Sequence, residues 1–428
     1  MSELLRHLHH CKNNCDVFYG REEELMTMQQ YFVGPSTRPH VLYGVGGSGK
    51  SCLLSMSAFK SLTEWTAPAR PLLLIRFCGT TPNSSSLGPL LRSLCQQLSY
   101  NLLLPLQEVP EDTVPVTSYF KELLKYATKE QPFLIFLDSV DELVGFKDDN
   151  IFSWLPVINP EYCKFVISVT HDENSILSIR NLANLRTLLE DEHTFIEVKA
   201  LGKDIAWNII KLWMKSAGRD LTNYQWRVVA NAVEHCTLPI YCKLVFQEVC
   251  RWKSYSEPEL TILQPSVTGS VFQLYEYVEN KHGWTLVSHA LSYITASKHG
   301  ISEPEMEDLI SLDDKVLNDI YQYHLPPERR IPPLLWTRVR SDLPGYLADR
   351  EADGVTVINW YHKTFMVAAK QRYFVKDTDS VYFHSCLSDY FLGTFGGGIC
   401  KPFRYTEIQK HMFKLKSKES TADRKVPA

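Results

Sequence analysis

A parallel α/β domain followed by helical modules is the fold class this sequence predicts, and three observations predict it. Short apolar runs alternate with helical faces as far as Val198, and from Leu201 onward the strand signal nearly vanishes while helical patterns continue. Between the first apolar run and the helical segment after it lies Tyr43-Gly44-Val45-Gly46-Gly47-Ser48-Gly49-Lys50-Ser51. Strands alternating with helices build a doubly wound parallel sheet with helices on both faces. A glycine-rich turn from strand to helix is where such a sheet cradles phosphate.

Taken in order, residues 2 to 15 have helical character, and a second helix opens in Asp16 to Leu25, whose acids suit a helix N-terminus, and runs to about Phe32. Pro35 and Pro39 end it before the strand His40 to Tyr43; Cys52 to Phe59 follows as a helix. Leu72 to Cys78 is the next strand, and Leu87, Leu90, Leu91, Leu94, Cys95 and Leu98 recur at helical spacing after it. A proline-rich loop over 104 to 115 leads to a helix carrying Tyr119, Phe120, Leu123 and Leu124, then to the strand Phe133 to Leu137. Phe165 to Val169 and Thr194 to Val198 complete the strands, with a helix near 173 to 189 between them.

Beyond Leu201 the periodicity predicts helices over 205–217, 223–235, 239–252, 271–280 and 286–297. Ser302 with Glu305 three residues on has the capping-box spacing, so a helix starts there and runs to Ile310. Two short strands, Ile331 to Trp336 and Val355 to Trp360, flanking the stretch Leu335 to Tyr346, suggest a winged-helix-like unit, and Val381 to Phe391 is a last helix. Lys410 to Ala428 carries six Lys or Arg against two acids and reads as a solvated, disordered end.

Composition bounds the function. With 428 residues, 44% of them hydrophobic and 22% charged, the chain can bury a sizeable core. A net charge of −4 argues against a nucleic-acid or membrane-surface polyelectrolyte. Eleven cysteines without a disulfide-like framework, and a start lacking a signal-peptide pattern, point to a reducing, cytoplasmic setting. Every apolar window is too short for a membrane span. His7, His9, His10, Cys11 and Cys15 lie close together, but no second ligand pair follows at finger spacing, so they read as the faces of a helix rather than a zinc site.

The chemistry concentrates in two stretches. In the loop, Gly44, Gly46, Gly47 and Gly49 let the backbone approach oxygen atoms closely, so that N–H groups through Ser48 to Cys52 converge on phosphates. Lys50 would reach the β- and γ-phosphates, and the Ser51 hydroxyl would be a magnesium ligand. In the second stretch, Phe133 to Leu137 ends in Asp138, with Asp141 and Glu142 close behind. Asp138 would hold the hydration shell of Mg2+ opposite Ser51, at the strand ends where open α/β sheets collect ligands. Glu142, or else Asp141, would orient or deprotonate the attacking water. Thr170, at the end of the strand 164 to 170, would sit near the γ-phosphate as a sensor. The fold class is therefore an α/β P-loop NTPase domain followed by a helical domain and a winged-helix-like domain.

With loop and carboxylates together, the sequence resembles the NACHT branch of the STAND (signal-transducing ATPases with numerous domains) P-loop proteins, and is similar there to the NACHT and WD-repeat proteins. The resemblance runs from about 15 to 403 and rests on Phe18-Tyr19-Gly20-Arg21-Glu22, the phosphate loop, Arg76-Phe77-Cys78-Gly79-Thr80, the Asp138 stretch, Leu238-Pro239-Ile240, Tyr361-His362-Lys363-Thr364-Phe365 and Leu387 to Gly393. It implies domains over 16–200, 201–265 and 266–395, between an N-terminal helical segment, 1–15, and a C-terminal tail, 396–428. It also implies that Val17, Phe18 and Arg21 line the adenine, that Pro239 packs on the base, and that His362 of the winged helix contacts the ADP β-phosphate. By that resemblance many relatives carry an Arg after the fourth strand where this chain has Thr170-His171, and the relatives carry a WD-repeat propeller, whereas this sequence stops shortly after the winged helix.

The function expected is an ATP/ADP-dependent signalling switch with slow ATP hydrolysis at most, whose output is domain opening, self-association and contact with protein partners. The alternatives are a non-catalytic scaffold stabilised by nucleotide and a P-loop phosphotransferase. A GTP-specific switch is disfavoured, because no Asn-Lys-x-Asp motif follows the fourth strand.

Overall fold

The structure is a computed structural model that describes residues 2–16, 18–106, 109–143, 151–173, 175–257, 261–322, 330–352 and 355–395. The chain forms two compact units, Met1–Val267 and Thr268–Ala428. In the first, α1 (Ser2–Asp16) and α2 (Glu22–Val33) precede β1 (His40–Gly44), α3 (Lys50–Lys60), β2 (Leu72–Phe77), α4 (Leu87–Asn101), α5 (Thr113–Leu123), β3 (Phe133–Asp138), β4 (Cys163–Thr170), α6 (Ile176–Leu189) and β5 (Phe195–Glu197). The five strands make one sheet in the order β2-β3-β4-β1-β5, and every pair in it is parallel.

Side chains alternate across this sheet with the period of two that a strand imposes. On one face Val41, Ile135, Leu137 and Ile167 pack with Leu90, Leu94, Phe120 and Leu185 of α4, α5 and α6. On the other, Leu42, Leu134, Phe136 and Val166 pack with Met28, Phe32, Leu53 and Leu54 of α2 and α3. Both faces are buried, which is why these strands read as continuous apolar runs rather than alternating ones. The crossovers bring the C-terminal ends of β1, β3 and β4 together: Gly44 pairs with Thr170, Leu137 with Ile167, and Asp138 with Phe77 of β2.

A sheet edge must be covered or charged, and α1 covers the β2 edge. His7 Nδ1 accepts the Phe77 N–H at 3.3 Å. Glu3 accepts from Thr81 Oγ1 at 2.8 Å and from Ser93 Oγ at 3.2 Å, and Cys11 and Asn14 bond Ser55 of α3. His7, His10 and Cys11 of this helix are thus spent on docking it to the sheet and to α3. Three further helices, α7 (Lys203–Ser216), α8 (Asn223–His235) and α9 (Pro239–Val249), share a core of their own built on Ile210, Val229, Tyr241 and Val245. Thr222 and Gln225 close a capping box at the start of α8.

The second unit holds α10 (Val267–His282), α11 (Trp284–Ala296), α12 (Glu303–Leu312), α13 (Asp314–Ile320), α14 (Pro333–Ser341), β6 (Leu347–Ala352), β7 (Val355–Trp360), α15 (Lys363–Tyr373) and α16 (Asp377–Phe391). The Ser302–Glu305 capping box forms as its spacing predicts. One expectation fails: Ile331 to Trp336 is not a strand. Pro332 caps and Pro333 opens α14 there, since a proline has no N–H for a ladder yet fits the first turn of a helix. Val355 to Trp360 instead pairs antiparallel with Leu347 to Ala352. The Gly396-Gly397-Gly398 stretch and the basic tail from Lys410 lie outside the described residues.

The docking of α1 carries a pH signature. Burial alone would raise the Glu3 carboxyl, but hydrogen bonds from His7, Thr81 and Asn83 and the nearby Arg76 guanidinium hold it down at about 2. A folded-state value below the unfolded one means that the ionised form stabilises the fold above the unfolded value and that this gain is lost as pH falls through the folded value. Urea unfolding of wild type and Glu3→Gln is expected to differ by on the order of 1–3 kcal/mol near neutrality. The gap should close progressively between pH 4.5 and about 2; a gap that does not depend on pH would contradict the ionised network.

Candidate functional site

The loop between β1 and α3 has the backbone its glycines allow. Gly47 and Gly49 sit at φ 79° and 95°, conformations that side chains with a Cβ rarely adopt. The Lys50 ammonium folds back inside the loop and donates to Gly44 O and Val45 O, both at 2.9 Å. Burial pushes this ammonium below its ordinary value, against the opposing pull of Asp138, Asp141 and Glu142. A buried Lys faced by three carboxylates at the mouth of a glycine loop can meet phosphate oxygens as a point charge.

Asp138 is brought beside the loop by the sheet order. Ser51 Oγ donates to Asp138 Oδ2 at 2.6 Å, and Ser168 Oγ donates to Oδ1, also at 2.6 Å. Ser168 accepts in turn from the Ser139 N–H at 2.7 Å. Burial drives the Asp138 carboxyl above its ordinary value, opposed by these two hydroxyls and by Lys50. Immediately after it, Ser139 turns through a left-handed conformation, φ 53°, and Val140–Glu142 forms a single 3₁₀ turn. A Cβ at Gly79 would stand 3.2 Å from Glu142 Oε2, so that carboxylate lies against the end of β2.

Ser168 was not among the residues the sequence singled out. The signal was a serine in an otherwise apolar strand, with the same parity as Val166 and therefore on the α3 face where Ser51 and Asp138 meet. Arg21 has a more specific position than the sequence predicts. Its guanidinium donates to Ser48 O at 2.7 Å and Lys199 O at 2.6 Å and pairs with Glu24. It ties the phosphate loop to the segment after β5. Phe18 packs partly buried against the α2–α3 core, and Val17 lies outside the described residues.

The helix α9 sits directly on the loop. The Ile240 N–H points to Gly47 O at 3.4 Å, and a Cβ at Gly47 would fall 2.4 Å from Ile240 Cγ2. Pro239 Cγ is 3.4 Å from where a Gly49 Cβ would be. One turn on from Pro239, Lys243 is desolvated and electrostatically coupled to Cys52. Burial raises the Cys52 thiol to about 11, which leaves it protonated and inert near neutrality. At the end of β4 the Thr170 carbonyl accepts from Ser178 Oγ, and the His171 N–H donates to Gly44 O, both at 2.8 Å. His362 belongs to the second unit, where its Nδ1 accepts the Thr364 N–H at the start of α15.

The resemblance read from the motifs holds over nearly the whole chain. A family described as AAA ATPase domain matches residues 17–154, and one described as NWD1-like, winged helix-turn-helix domain matches residues 253–381. NACHT and WD repeat domain-containing protein 2 of Homo sapiens is 33% identical over 410 residues, 94% of this chain and 23% of that protein. NACHT domain- and WD repeat-containing protein 1 of Homo sapiens is 31% identical, over 93% of this chain and 26% of that protein. The chain thus spans about a quarter of the length of these relatives. A solved Walker-type ATPase of Pyrococcus abyssi is 12% identical, with a TM-score of 0.39 over 82% of this chain and 96% of its own, a likeness too distant to bear on the site.

The contact between loop and α9 can be tested by one methyl group. Gly47→Ala places a Cβ inside the Ile240 side chain, at a backbone conformation that alanine strains to adopt. Amide hydrogen exchange at Ile240 is expected to speed up by about tenfold or more while that of the central strand β3 stays unchanged. Unaltered exchange at Ile240 would show that α9 does not rest on the loop.

Proposed function

We propose that this relative of the NACHT and WD repeat proteins, an AAA-type P-loop ATPase fold joined to a winged helix, works as an ATP/ADP-dependent signalling switch. The observation that carries the reading is the seating of Pro239 and Ile240 on Gly49 and Gly47. A ligand that shifts the phosphate loop would alter the surface on which α9 rests, and the occupancy of the loop and the position of the helical segment would then be thermodynamically coupled.

The residues present fit a nucleotide with its metal. The loop N–H groups and Lys50 would bind the phosphates, and Ser51 with Asp138 would hold Mg2+, Asp138 acting through water. The fit rests on the 2.6 Å bond between Ser51 and the doubly bonded, buried Asp138, a pair of oxygens suited to a hard cation. When bound, Mg2+ supplies positive charge that neutralises the phosphate oxygens. Lys50 would exchange its bonds to Gly44 O and Val45 O for phosphate oxygens, and Glu142, or Asp141, would position a water. Thr170, which pairs with Gly44, would sense the γ-phosphate. Arg21 would buttress the loop from behind, with Phe18 and Val17 toward the adenine and Pro239 over the base. His362 would meet the β-phosphate from the winged helix.

Hydrolysis would be slow, because this chain has Thr170-His171 at the end of β4, where the family resemblance implies an arginine in many relatives, and that leaves less positive charge there for a developing phosphate anion. The output of the switch would be opening of the domains, self-association and engagement of protein partners in the cytoplasm. None of the described helices is long and apolar enough to cross a membrane. A scaffold that keeps nucleotide only as a structural element is the second reading, supported by the same Thr170-His171 pair.

The deciding experiment releases and identifies the nucleotide carried by freshly purified chain. Wild type is expected to carry ADP, and Lys50→Ala to lose it by about tenfold or more, as removal of a charge-assisted bond predicts. Protein that comes out empty and binds neither ADP nor ATP would overturn the reading. Glu142→Gln is expected to slow turnover while leaving ADP bound; unchanged turnover and assembly state would favour the scaffold.

A further inference from the structure

The two oxygens of Asp138 are not equivalent. Oδ2 accepts from the hydroxyl of Ser51 at 2.6 Å, in the first turn of the helix that follows the phosphate loop, and Ser51 is itself partly exposed. Oδ1 accepts from Ser168 Oγ, also at 2.6 Å, and here both partners are buried, Asp138 at 5% exposure and Ser168 at 0%. One oxygen faces the first turn of α3; the other is shut inside the sheet.

Oδ1 is held by a clamp rather than by a single bond. Ser168 Oγ accepts the Ser139 N–H at 2.7 Å, so its one proton is committed to the carboxylate, which can only accept. Ser139 follows Asp138 directly and turns left-handed there, φ 53°, so a single hydroxyl grips both the side chain of Asp138 and the backbone just beyond it. The parallel register supplies this hydroxyl: Leu137 of β3 faces Ile167 of β4, and the next residue of each strand makes the bond. Asp138 cannot turn both oxygens toward Ser51 without breaking the bond to Ser168.

That restriction bears on the choice of cation, given the reading above in which Ser51 and Asp138 serve a divalent ion and its nucleotide. Ca2+ gathers about six to eight oxygens and often takes both oxygens of one carboxylate, whereas the smaller Mg2+ keeps several of its waters and is satisfied by one carboxylate oxygen at a time. We propose that Ser168 is a specificity-determining residue: by holding Asp138 Oδ1 it leaves Oδ2 alone for a cation at Ser51, which suits hydrated Mg2+ and denies Ca2+ a bidentate ligand. Ser168 acts through Asp138, as a positioning residue. Second-shell partners of this kind tune a metal site by fixing how its ligands are presented.

The test is a ratio of two affinities, which does not depend on the fraction of active protein in a sample. The full chain, stripped of nucleotide, is titrated with the non-hydrolysable ATP analogue adenosine 5′-(β,γ-imido)triphosphate, once in Mg2+ and once in Ca2+. Wild type is expected to bind about tenfold more tightly with Mg2+. Ser168→Ala should bring the ratio to about one, chiefly through tighter binding with Ca2+, and Ser168→Thr, which keeps the hydroxyl, should hold it near the wild-type value. A merely structural role would weaken binding with both cations alike and leave the ratio unmoved. Should Ser168→Ala fail to fold, Ser168→Cys, a weak donor of similar size, carries the test with a ratio expected between the other two. No preference in wild type, a wild-type ratio in Ser168→Ala or Ser168→Cys, or a ratio lost equally in Ser168→Thr would overturn the role of Ser168 and leave the nucleotide reading standing. Wild type that binds the analogue with neither cation would overturn the nucleotide reading itself.

Discussion

A carboxylate at the end of a buried strand survives only if donors and a cation surround it, and the arrangement around Asp138 meets that demand from three elements at once. Ser51 comes from the start of α3, Ser168 from β4, and Lys50 supplies the charge. The order β2-β3-β4-β1-β5 sets β4 between β3 and β1, so Ser168 lies beside Asp138 and the phosphate loop opens one strand further along. The pairing that satisfies a buried charge is therefore also the one that brings Lys50, Ser51 and Asp138 together as a candidate metal and phosphate site. With both oxygens of Asp138 bonded by hydroxyls from two other elements, the side chains are preorganised rather than strained.

The same economy of contacts links the loop to the helices after the sheet. Gly47 and Gly49 serve the loop conformation, and their bare Cα atoms also let Ile240 and Pro239 approach closely. Arg21 binds the loop from the other side through Ser48 O and holds Lys199 O with the same guanidinium. A loop gripped by both its flanks would pass changes in its occupancy to elements that never touch the phosphates. The proposed switch requires that much: two arrangements of one packed surface, biased by differential contacts.

The second unit follows the opposite rule. Its buried charges are engaged locally: Asp313 by His289 and two tyrosines, and Glu279 by Arg372 at 2.8 and 2.5 Å and Tyr373 at 2.6 Å. Such networks specify one packing of the winged-helix-like unit, because any other packing would strand a charge in the interior.

Much of this was legible in the residues alone, because it is written in short-range periodicity. The apolar runs of β1 to β5, the glycine loop, Asp138 after its strand, and the Ser302–Glu305 box each depend on residues only a few positions apart. The strand expected at Ile331 to Trp336 failed for a reason also in the sequence: Pro332 and Pro333 cannot serve a ladder and do open a helix. What only the tertiary structure decided are pairings across long separations. Ser168 and Asp138 are thirty residues apart, Arg21 and Lys199 far more, and the seating of Ile240 on Gly47 joins separate modules. Periodicity records which face of an element is buried, but not which partner buries it. Partnership is chosen by the strand order and the packing of the whole unit, and that choice brought a loop and a carboxylate together as a candidate site.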